Sequence, residues 1–456
     1  MMSKQSSIRL SRRELAAKRW SVVAAISFCI LAVFSVAVIR TSAQKPATGT
    51  ESASTAARNA ALVAATNEVL QETSQLRELA VLRPVQSSAQ SRAEIEHMIV
   101  ANLDRDTTAA DMHASEVTLK RLGLVPANFA LRPLIVSLLT EQVAGYYDPR
   151  EQQFHLADWI DVDGQKPIMA HELTHALQDQ HFNLRRFEKW PKGDSDAELA
   201  IHALIEGDAT LAMTLYVGSN PMRALSFLRS FMAAETSSQE LDKAPRALRE
   251  TLLFPYQEGL TWTRSLYQNG GWSAVSRAFK TLPQSSEQIL HPPKYFIHEA
   301  PVKVSLPDLR SSLGRGWQRI ETDVNGEWSF YLILDEFLKS ASTSKQAAAG
   351  WGGDRYATYE NASGQSLYVS LSAWDTAKDA REFFDAYVAR TGKRYPRAAA
   401  EDPISTPQTP KRSQHFETAE GGIAVELRGN RVLVVEGIPA RANGRAIIRV
   451  LWARSA

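Results

Sequence analysis

The stretch that most constrains how this chain can fold is residues 167–178, which contain the pattern H-E-L-T-H at positions 171–175. After its first proline the stretch has no glycine or proline, and its residues favour a helix. On a helix, residues four positions apart lie on the same face. The pattern therefore predicts a helix that directs the imidazoles of His171 and His175 towards one point, with the carboxyl group of Glu172 beside them.

Two imidazoles and a neighbouring carboxylate are the groups that a hydrolytic zinc site needs. The imidazole nitrogens bind the metal, and the carboxylate accepts a proton from the water that the metal binds. The five-residue pattern also occurs by chance, and two histidines on a helix can be ordinary surface residues. Because catalytic zinc usually has three protein ligands, the interpretation as a zinc site depends on finding a third.

One candidate for the third ligand is His181, ten positions after His171. This is the spacing of the metzincin pattern H-E-x-x-H-x-x-G-x-x-H, whose glycine lets the chain turn sharply out of the helix. Position 178 is glutamine here, which favours continuation of the helix. A helix continued to His181 would carry that ring about 15 Å along the axis from His171, too far to share one ion.

The favoured candidate is Glu206, in the run E-G-D-A at positions 206–209 of a second predicted helix. A carboxylate from a second helix completes a site with two histidines and one glutamate. Over about residues 145–215, the H-E-x-x-H pattern followed by this run resembles the gluzincin group of zinc metallopeptidases. The resemblance implies a zincin-like fold and one Zn²⁺ per chain. It assigns roles to four residues: the metal ligands His171, His175 and Glu206, and the general base Glu172.

Further residues are candidates to assist the peptide hydrolysis that the resemblance implies. Negative charge develops on the substrate oxygen and needs a donor beside the metal; the candidates are Tyr147, Tyr256 and His291. Aromatic packing or helix capping is the alternative role of each. Asp208 is a candidate to orient a metal-bound histidine by accepting its second N–H.

Two other features near the pattern bear on the substrate. Residues 152–157 alternate like a short strand, which in this position would form the edge of the cleft and pair with an extended peptide. His202 lies one helical turn before Glu206, where it would either line the cleft or be an ordinary helix residue.

The N-terminal region predicts a membrane anchor. Residues 21–39 are uncharged and almost wholly apolar, and about 20 such residues span a bilayer as a helix. Basic residues cluster before this segment, which predicts a cytoplasmic tail at 1–19, a transmembrane signal-anchor at 20–40 and a body outside the cytoplasm. The alternative is a secreted protein cleaved near Ala43, where small residues follow the apolar run.

Composition and periodicity divide the remainder into three parts. Residues 41–60, rich in small and polar side chains, predict a flexible stalk. Residues 61–340 carry helical patterns, and residues 341–456 carry the hairpin and helix patterns of a small domain. The predicted fold class is α+β, mostly helical, with a zincin-like metallopeptidase domain followed by a C-terminal accessory α+β domain.

Charge and cysteine content limit the function classes. The net charge is +2, but residues 1–40 carry seven basic residues and one acidic residue, so the remainder is net negative. Such a body gives no electrostatic argument for binding nucleic acid. The single cysteine excludes an intrachain disulfide.

These observations predict a membrane-anchored, exported zinc metallopeptidase whose partners are a peptide or protein substrate and the membrane. The oligomeric state is not predicted. An alternative from another class is an exported interaction or scaffold protein on a zincin fold, in which the zinc is structural or lost.

Overall fold

The computed structural model describes residues 51–159, 162–189, 193–225, 227, 239–400 and 411–454. These residues form a mixed α+β structure with two sheets, which confirms the predicted α+β class. The helices with assigned bounds are α1 (Glu51–Arg77), α2 (Arg92–Asp106), α3 (Ala109–Leu122), α4 (Leu131–Gln142), α5 (Lys166–Phe182), α6 (Ser195–Gly218), α7 (Gln239–Lys243), α8 (Arg246–Ala278), α9 (Ser286–Leu290), α10 (Pro292–Phe296), α11 (Arg310–Leu313), α12 (Gly326–Leu338), α13 (Ala341–Ala348), α14 (Ala377–Arg394) and α15 (Gly444–Arg454). The strands are β1 (Gln86–Gln90), β2 (Gly145–Asp148), β3 (Gln153–Ala157), β4 (Gln318–Asp323), β5 (Trp351–Glu360), β6 (Ser366–Trp374), β7 (Ala399–Ala400), β8 (Lys411–Thr418), β9 (Gly421–Arg428) and β10 (Arg431–Ile438).

Helices α5 and α6 lie at the centre of the helical part, and α1 and α8 pack against them. Helix α5 is buried on all sides along its middle, since residues 169–179 are all buried. Helix α6 is likewise almost wholly buried from residue 196 to residue 213. A helix that is buried all round carries its polar side chains into the interior, so each of these polar groups needs a partner there.

A small three-stranded sheet lies beside α5, with the strand order β1-β3-β2. Strand β3 confirms the strand predicted at 152–157, but β1 and β2 pair with its two sides. The prediction that this strand forms the cleft edge is therefore wrong. The outer strand next to α5 is β2, and its Tyr147 N–H donates to the α5 side chain Glu172.

The larger sheet is antiparallel, with the order β4-β5-β6-β10-β9-β8-β7. Because side chains alternate along a strand, its two faces bury different sets of residues. On β10, Val432 and Val434 belong to the core that includes Phe383 of α14. Leu433 and Val435 face the opposite side and belong to the core that includes Ile447 of α15. Helices α14 and α15 thus cover opposite faces of this sheet.

The domain boundary predicted between residues 340 and 341 needs correction. Strand β4 precedes that boundary but pairs with β5 in the larger sheet. One continuous core also joins the two parts, because Trp328 and Phe330 of α12 belong to the same cluster as Leu204 of α6 and Phe383 of α14. The helical part and the larger sheet therefore share a core.

The predictions for the N-terminal region also need correction. The apolar segment at 20–40 lies outside the described residues, and within the described part of the chain no helix is both long enough and apolar enough to cross a membrane. A crossing helix takes about 20 predominantly apolar residues. This finding contradicts the predicted anchor and the single-pass localisation derived from it. In addition, α1 begins at Glu51, within the range 41–60 that was expected to be a flexible stalk.

Candidate metal centre

The predicted H-E-x-x-H helix is α5, and it places the pattern in the protein interior. The helix has a proline in its first turn, where the missing N–H costs no hydrogen bond. It ends after Phe182, where Asn183 adopts a left-handed conformation with φ of 56°. His171, Glu172 and His175 are only 5%, 0% and 0% exposed.

Helix α6 brings Glu206 to the two histidines. The side chain of Asp194 caps this helix by accepting a hydrogen bond from the Ala197 N–H at 3.1 Å. Helices α5 and α6 are linked directly, because Gln178 Nε2 donates to the Ile205 carbonyl oxygen at 3.0 Å. Glu206 follows Ile205, so this contact fixes the backbone next to the candidate ligand.

The three candidate ligand atoms form a compact triangle. The Nε2 atoms of His171 and His175 lie 3.2 Å apart, and Glu206 Oε2 lies 3.1 Å and 3.5 Å from them, respectively. With zinc–ligand bonds of about 2.0 to 2.1 Å, the ligand atoms of a tetrahedral site lie about 3.3 to 3.4 Å apart. Two nitrogens and one carboxylate oxygen at these distances therefore fit a small divalent cation.

The orientation of His175 is set by Gln178, one turn further along α5. His175 Nδ1 lies 2.9 Å from Gln178 Oε1, which only accepts hydrogen bonds, so Nδ1 carries the proton. In the neutral ring the lone pair is then on Nε2, which points into the triangle. Gln178 was interpreted from the sequence only as a residue that continues the helix, so this role was missed.

Asp208 was predicted to accept a hydrogen bond from a candidate ligand histidine, but it accepts one from Gln178 instead. Gln178 Nε2 donates to Asp208 Oδ2 at 2.9 Å as well as to the Ile205 carbonyl oxygen. Both partners of Nε2 are acceptors, which fixes the direction of the Gln178 amide. Asp208 therefore orients His175 through Gln178 rather than by a direct contact.

Glu172 lies beside the triangle with one carboxylate oxygen held and one without a partner. Its Oε2 accepts the Tyr147 N–H at 3.1 Å. Its Oε1 is buried and accepts no hydrogen bond from the described residues. Burial raises the pKa of Glu172 well above its usual value, which is typical of a group that can take up a proton.

The charges in the triangle are strongly coupled. Burial lowers the pKa of His171. At His175 burial acts in the same direction, but Glu206, Glu172 and Gln178 together outweigh it and raise the pKa to about 9, with the largest share from the Glu206 carboxylate. At Glu206 burial opposes ionisation, but the charges and hydrogen bonds of His175 and His171 together outweigh it and lower the pKa to about 2. The carboxylate thus favours a positive charge in the triangle, which either a proton or a metal cation supplies.

The structure brings one of the three predicted oxyanion donors to this site. The ring of Tyr256, on α8, stacks on His171 with the centroids 6.1 Å apart. The Tyr147 hydroxyl instead donates to Asp179 at 3.0 Å, so only the backbone of this residue contacts the site. Among the described contacts of His291 is Glu327 at 2.9 Å, and none involves the three candidate ligands. The described hydrogen bonds of the Tyr147 hydroxyl and of His291 therefore lead to other carboxylates and not to the three candidate ligands.

His181 and His202 were the other two histidines that the sequence offered for this site. His181 remains on α5, which continues past it, and its Nε2 lies 2.7 Å from the Ala80 carbonyl oxygen, away from the triangle. His202 is half-buried one turn before Glu206, and its Nδ1 is buried without a partner among the described residues. Burial lowers the pKa of His202 to about 4, so it is a neutral imidazole near the triangle.

Comparisons with known proteins cover a different part of the chain. Residues 314–447 match a family model described as a domain of unknown function, DUF8575. This match begins just before β4 and includes all strands of the larger sheet. Searches of curated proteins and of solved structures gave no match to the chain. The matched range 314–447 includes none of the residues of the candidate metal centre.

Proposed function

We propose that this protein is a zinc-dependent metallopeptidase that hydrolyses peptide bonds with a metal-activated water. The proposal rests on the triangle of His171 Nε2, His175 Nε2 and Glu206 Oε2, with sides of 3.1 to 3.5 Å. Two imidazoles and one carboxylate leave a fourth position for water, as catalytic zinc requires. This is the gluzincin ligand set, and a zincin-like fold of the helical part belongs to the same proposal.

In this mechanism His171, His175 and Glu206 hold the ion, and Glu172 moves the proton. When bound, zinc would polarise the scissile carbonyl group and lower the pKa of a water. The Tyr147 N–H holds Glu172 Oε2, which leaves Oε1 to accept a proton from the attacking water. Glu172 then passes this proton to the leaving amine.

Side chains and backbone around the triangle supply further interactions with substrate. Tyr256 and His202 are the candidates to stabilise the negative charge on the substrate oxygen. The outer edge of β2 faces Glu172, because the Tyr147 N–H reaches that carboxylate. An extended peptide added to this edge would pass next to the general base.

The alternative of a structural zinc site has less support. Structural zinc usually has four protein ligands. Within the described part of the chain, only three metal-ligating groups come together at this site: His171, His175 and Glu206. A three-ligand set is typical of catalytic rather than structural zinc.

Metal content tests the ligand assignment. We expect the wild-type protein, loaded with zinc and dialysed, to retain about one zinc per chain, and Glu206→Ala to lose most of it. The matched control is His181→Ala, which changes a histidine on the same helix and should retain the metal. Equal zinc content in wild type and Glu206→Ala would contradict the assignment.

A further inference from the structure

A buried chain of hydrogen bonds leads from the candidate metal centre to the last residue of α1. It continues from His175 through Gln178 to Asp208, as described above. Asp208 then accepts two hydrogen bonds from Arg77, from Nε to Oδ1 at 2.5 Å and from Nη2 to Oδ2 at 3.2 Å. All four residues are 0% exposed, so water does not compete for these bonds.

Arg77 is held in place by α8 as well as by Asp208. Its guanidinium carbon lies 4.4 Å from the centroid of the Trp272 ring, a cation–π contact. Its Nη1 donates to Ser276 Oγ at 3.2 Å. A buried guanidinium and a buried carboxylate each require the other, because either charge alone would be costly to bury.

The direction of the Gln178 amide is the step at which this chain acts on the metal centre. If the amide were reversed, its NH₂ group would face His175 Nδ1, and two donors would meet. The ring would then move its proton to Nε2, where it would occupy the lone pair that binds metal. The Asp208 carboxylate opposes this reversal, together with the Ile205 carbonyl oxygen, because both accept from Gln178 Nε2.

We infer that Arg77 is a positioning residue for the metal centre: by fixing Asp208, and through it Gln178, it holds His175 in the tautomer that binds metal. The inference rests on the proposed zinc site and adds that the docking of α1 is part of assembling it. Without Arg77, Asp208 is a buried carboxylate without its ion-pair partner, and its position beside Gln178 is no longer fixed. Gln178 Nε2 then keeps only the Ile205 carbonyl oxygen as a fixed acceptor.

The test measures zinc affinity by competition with a chelator, and the absorption spectrum of the Co²⁺-substituted protein. Replacing a group that orients a metal ligand typically costs about 10- to 100-fold in affinity. We expect Arg77→Met to bind zinc about tenfold or more weakly than wild type and to alter the Co²⁺ spectrum. The double variant Arg77→Met/Asp208→Asn should recover much of the affinity, because asparagine is neutral and its carbonyl oxygen can still accept from Gln178.

Arg83→Met is the matched control. Arg83 pairs with Asp179 of α5 at 2.8 Å, next to Gln178, but has no described contact with the chain that reaches His175. Its zinc affinity and Co²⁺ spectrum should equal those of wild type. If Arg77→Met does not fold, Arg77→Gln replaces it, because glutamine removes the charge that pairs with Asp208: loss of affinity in that variant supports the inference, and unchanged affinity overturns it.

Two results separate this inference from the proposed function. If wild type binds no zinc, the proposed function fails. If wild type binds zinc and Arg77→Met binds it equally well with the same Co²⁺ spectrum, only the inference fails. Reduced stability of Arg77→Met with unchanged metal affinity would show that Arg77 only anchors α1, and would overturn the inference.

Discussion

Gly207 of α6 and Gly259 of α8 pack backbone against backbone, so closely that a Cβ added to Gly207 would lie 2.2 Å from the Gly259 carbonyl oxygen. The glycine of the E-G-D-A run is thus required by helix packing. It follows Glu206 directly, and Tyr256 lies one turn before Gly259. The same close contact therefore brings a candidate ligand and a candidate oxyanion donor to one site.

Replacing Gly207 with alanine is expected to destabilise the protein. Alanine is favoured over glycine in a helix by about 1 kcal/mol. The added methyl group would meet backbone atoms that cannot rotate away, and overpacking typically costs about 1 to 3 kcal/mol or more. The cost of this clash should exceed the gain in helix propensity. We therefore expect the free energy of unfolding, measured with chemical denaturant, to fall by about 1 to 2 kcal/mol.

Gly218→Ala is the control for this substitution. Gly218 is the last residue of α6, and a Cβ there would have no described side chain or neighbouring element within 4 Å. This variant should be as stable as wild type or slightly more stable. Equal stability of the two alanine variants would contradict the packing argument.

Tyr256→Phe tests the oxyanion donor. Loss of one donor to the developing charge typically lowers kcat by about 100-fold or more. We expect such a loss in Tyr256→Phe with the zinc content unchanged, because the substitution keeps the ring that stacks on His171 and removes only the hydroxyl. Tyr147→Phe is the comparison: its hydroxyl pairs with Asp179, so stability should fall slightly while kcat remains close to wild type. A kcat close to wild type in Tyr256→Phe would exclude it as the donor.

Stability should depend on pH through Glu321, which joins β4 to α3. Its carboxylate accepts hydrogen bonds from the side chains of Ser115, at 3.1 Å, and Thr118. Burial nevertheless raises its pKa from 4.5 to about 7. A raised folded-state pKa contributes stability that is fully present below the unfolded-state pKa and is lost as the pH rises from about 4.5 to 7.

Glu321→Gln should remove this part of the pH dependence. The amide oxygen can keep one of the two hydroxyl bonds without ionising. Because the side chain is half-buried, solvent weakens the dependence of stability on Glu321 ionisation. We expect this ionisation to lower the free energy of unfolding by about 1 to 2 kcal/mol. Urea unfolding at pH 5 and pH 8 measures this loss of stability in both proteins. If the free energy of unfolding falls by the same amount in Glu321→Gln as in wild type, Glu321 is not its cause.

Local sequence patterns predicted the elements that carry the site. Helix-favouring residues and the absence of breakers predicted α5, and the E-G-D-A run on a second helix provided Glu206, the carboxylate that the triangle contains. Gln178 correctly indicated that α5 would continue and carry His181 away. These predictions succeeded because they depend on residues close together in the chain.

Long-range contacts could not be predicted in the same way. Strand β2 resembled a turn because Gly145 and the Asp148–Pro149 pair favour turns, and its strand conformation comes from pairing with β3. The role of Gln178 depends on Asp208, and that of Asp208 on Arg77, which lies 131 positions away. Strand β4 was missed for a related reason, since its partner β5 follows only after α12 and α13.

The measurement that tests the central claim most directly compares wild type with Glu172→Gln. Both proteins are loaded with zinc, their metal content is determined, and both are incubated with a panel of unstructured proteins. Because Glu172 is beside the triangle and not part of it, we expect about one zinc per chain in each. Cleavage should occur with wild type and fall by at least about 100-fold in the variant, since general base catalysis contributes about 10²- to 10⁴-fold. Stoichiometric zinc with equal activity, or equal inactivity across the panel, would contradict the proposal.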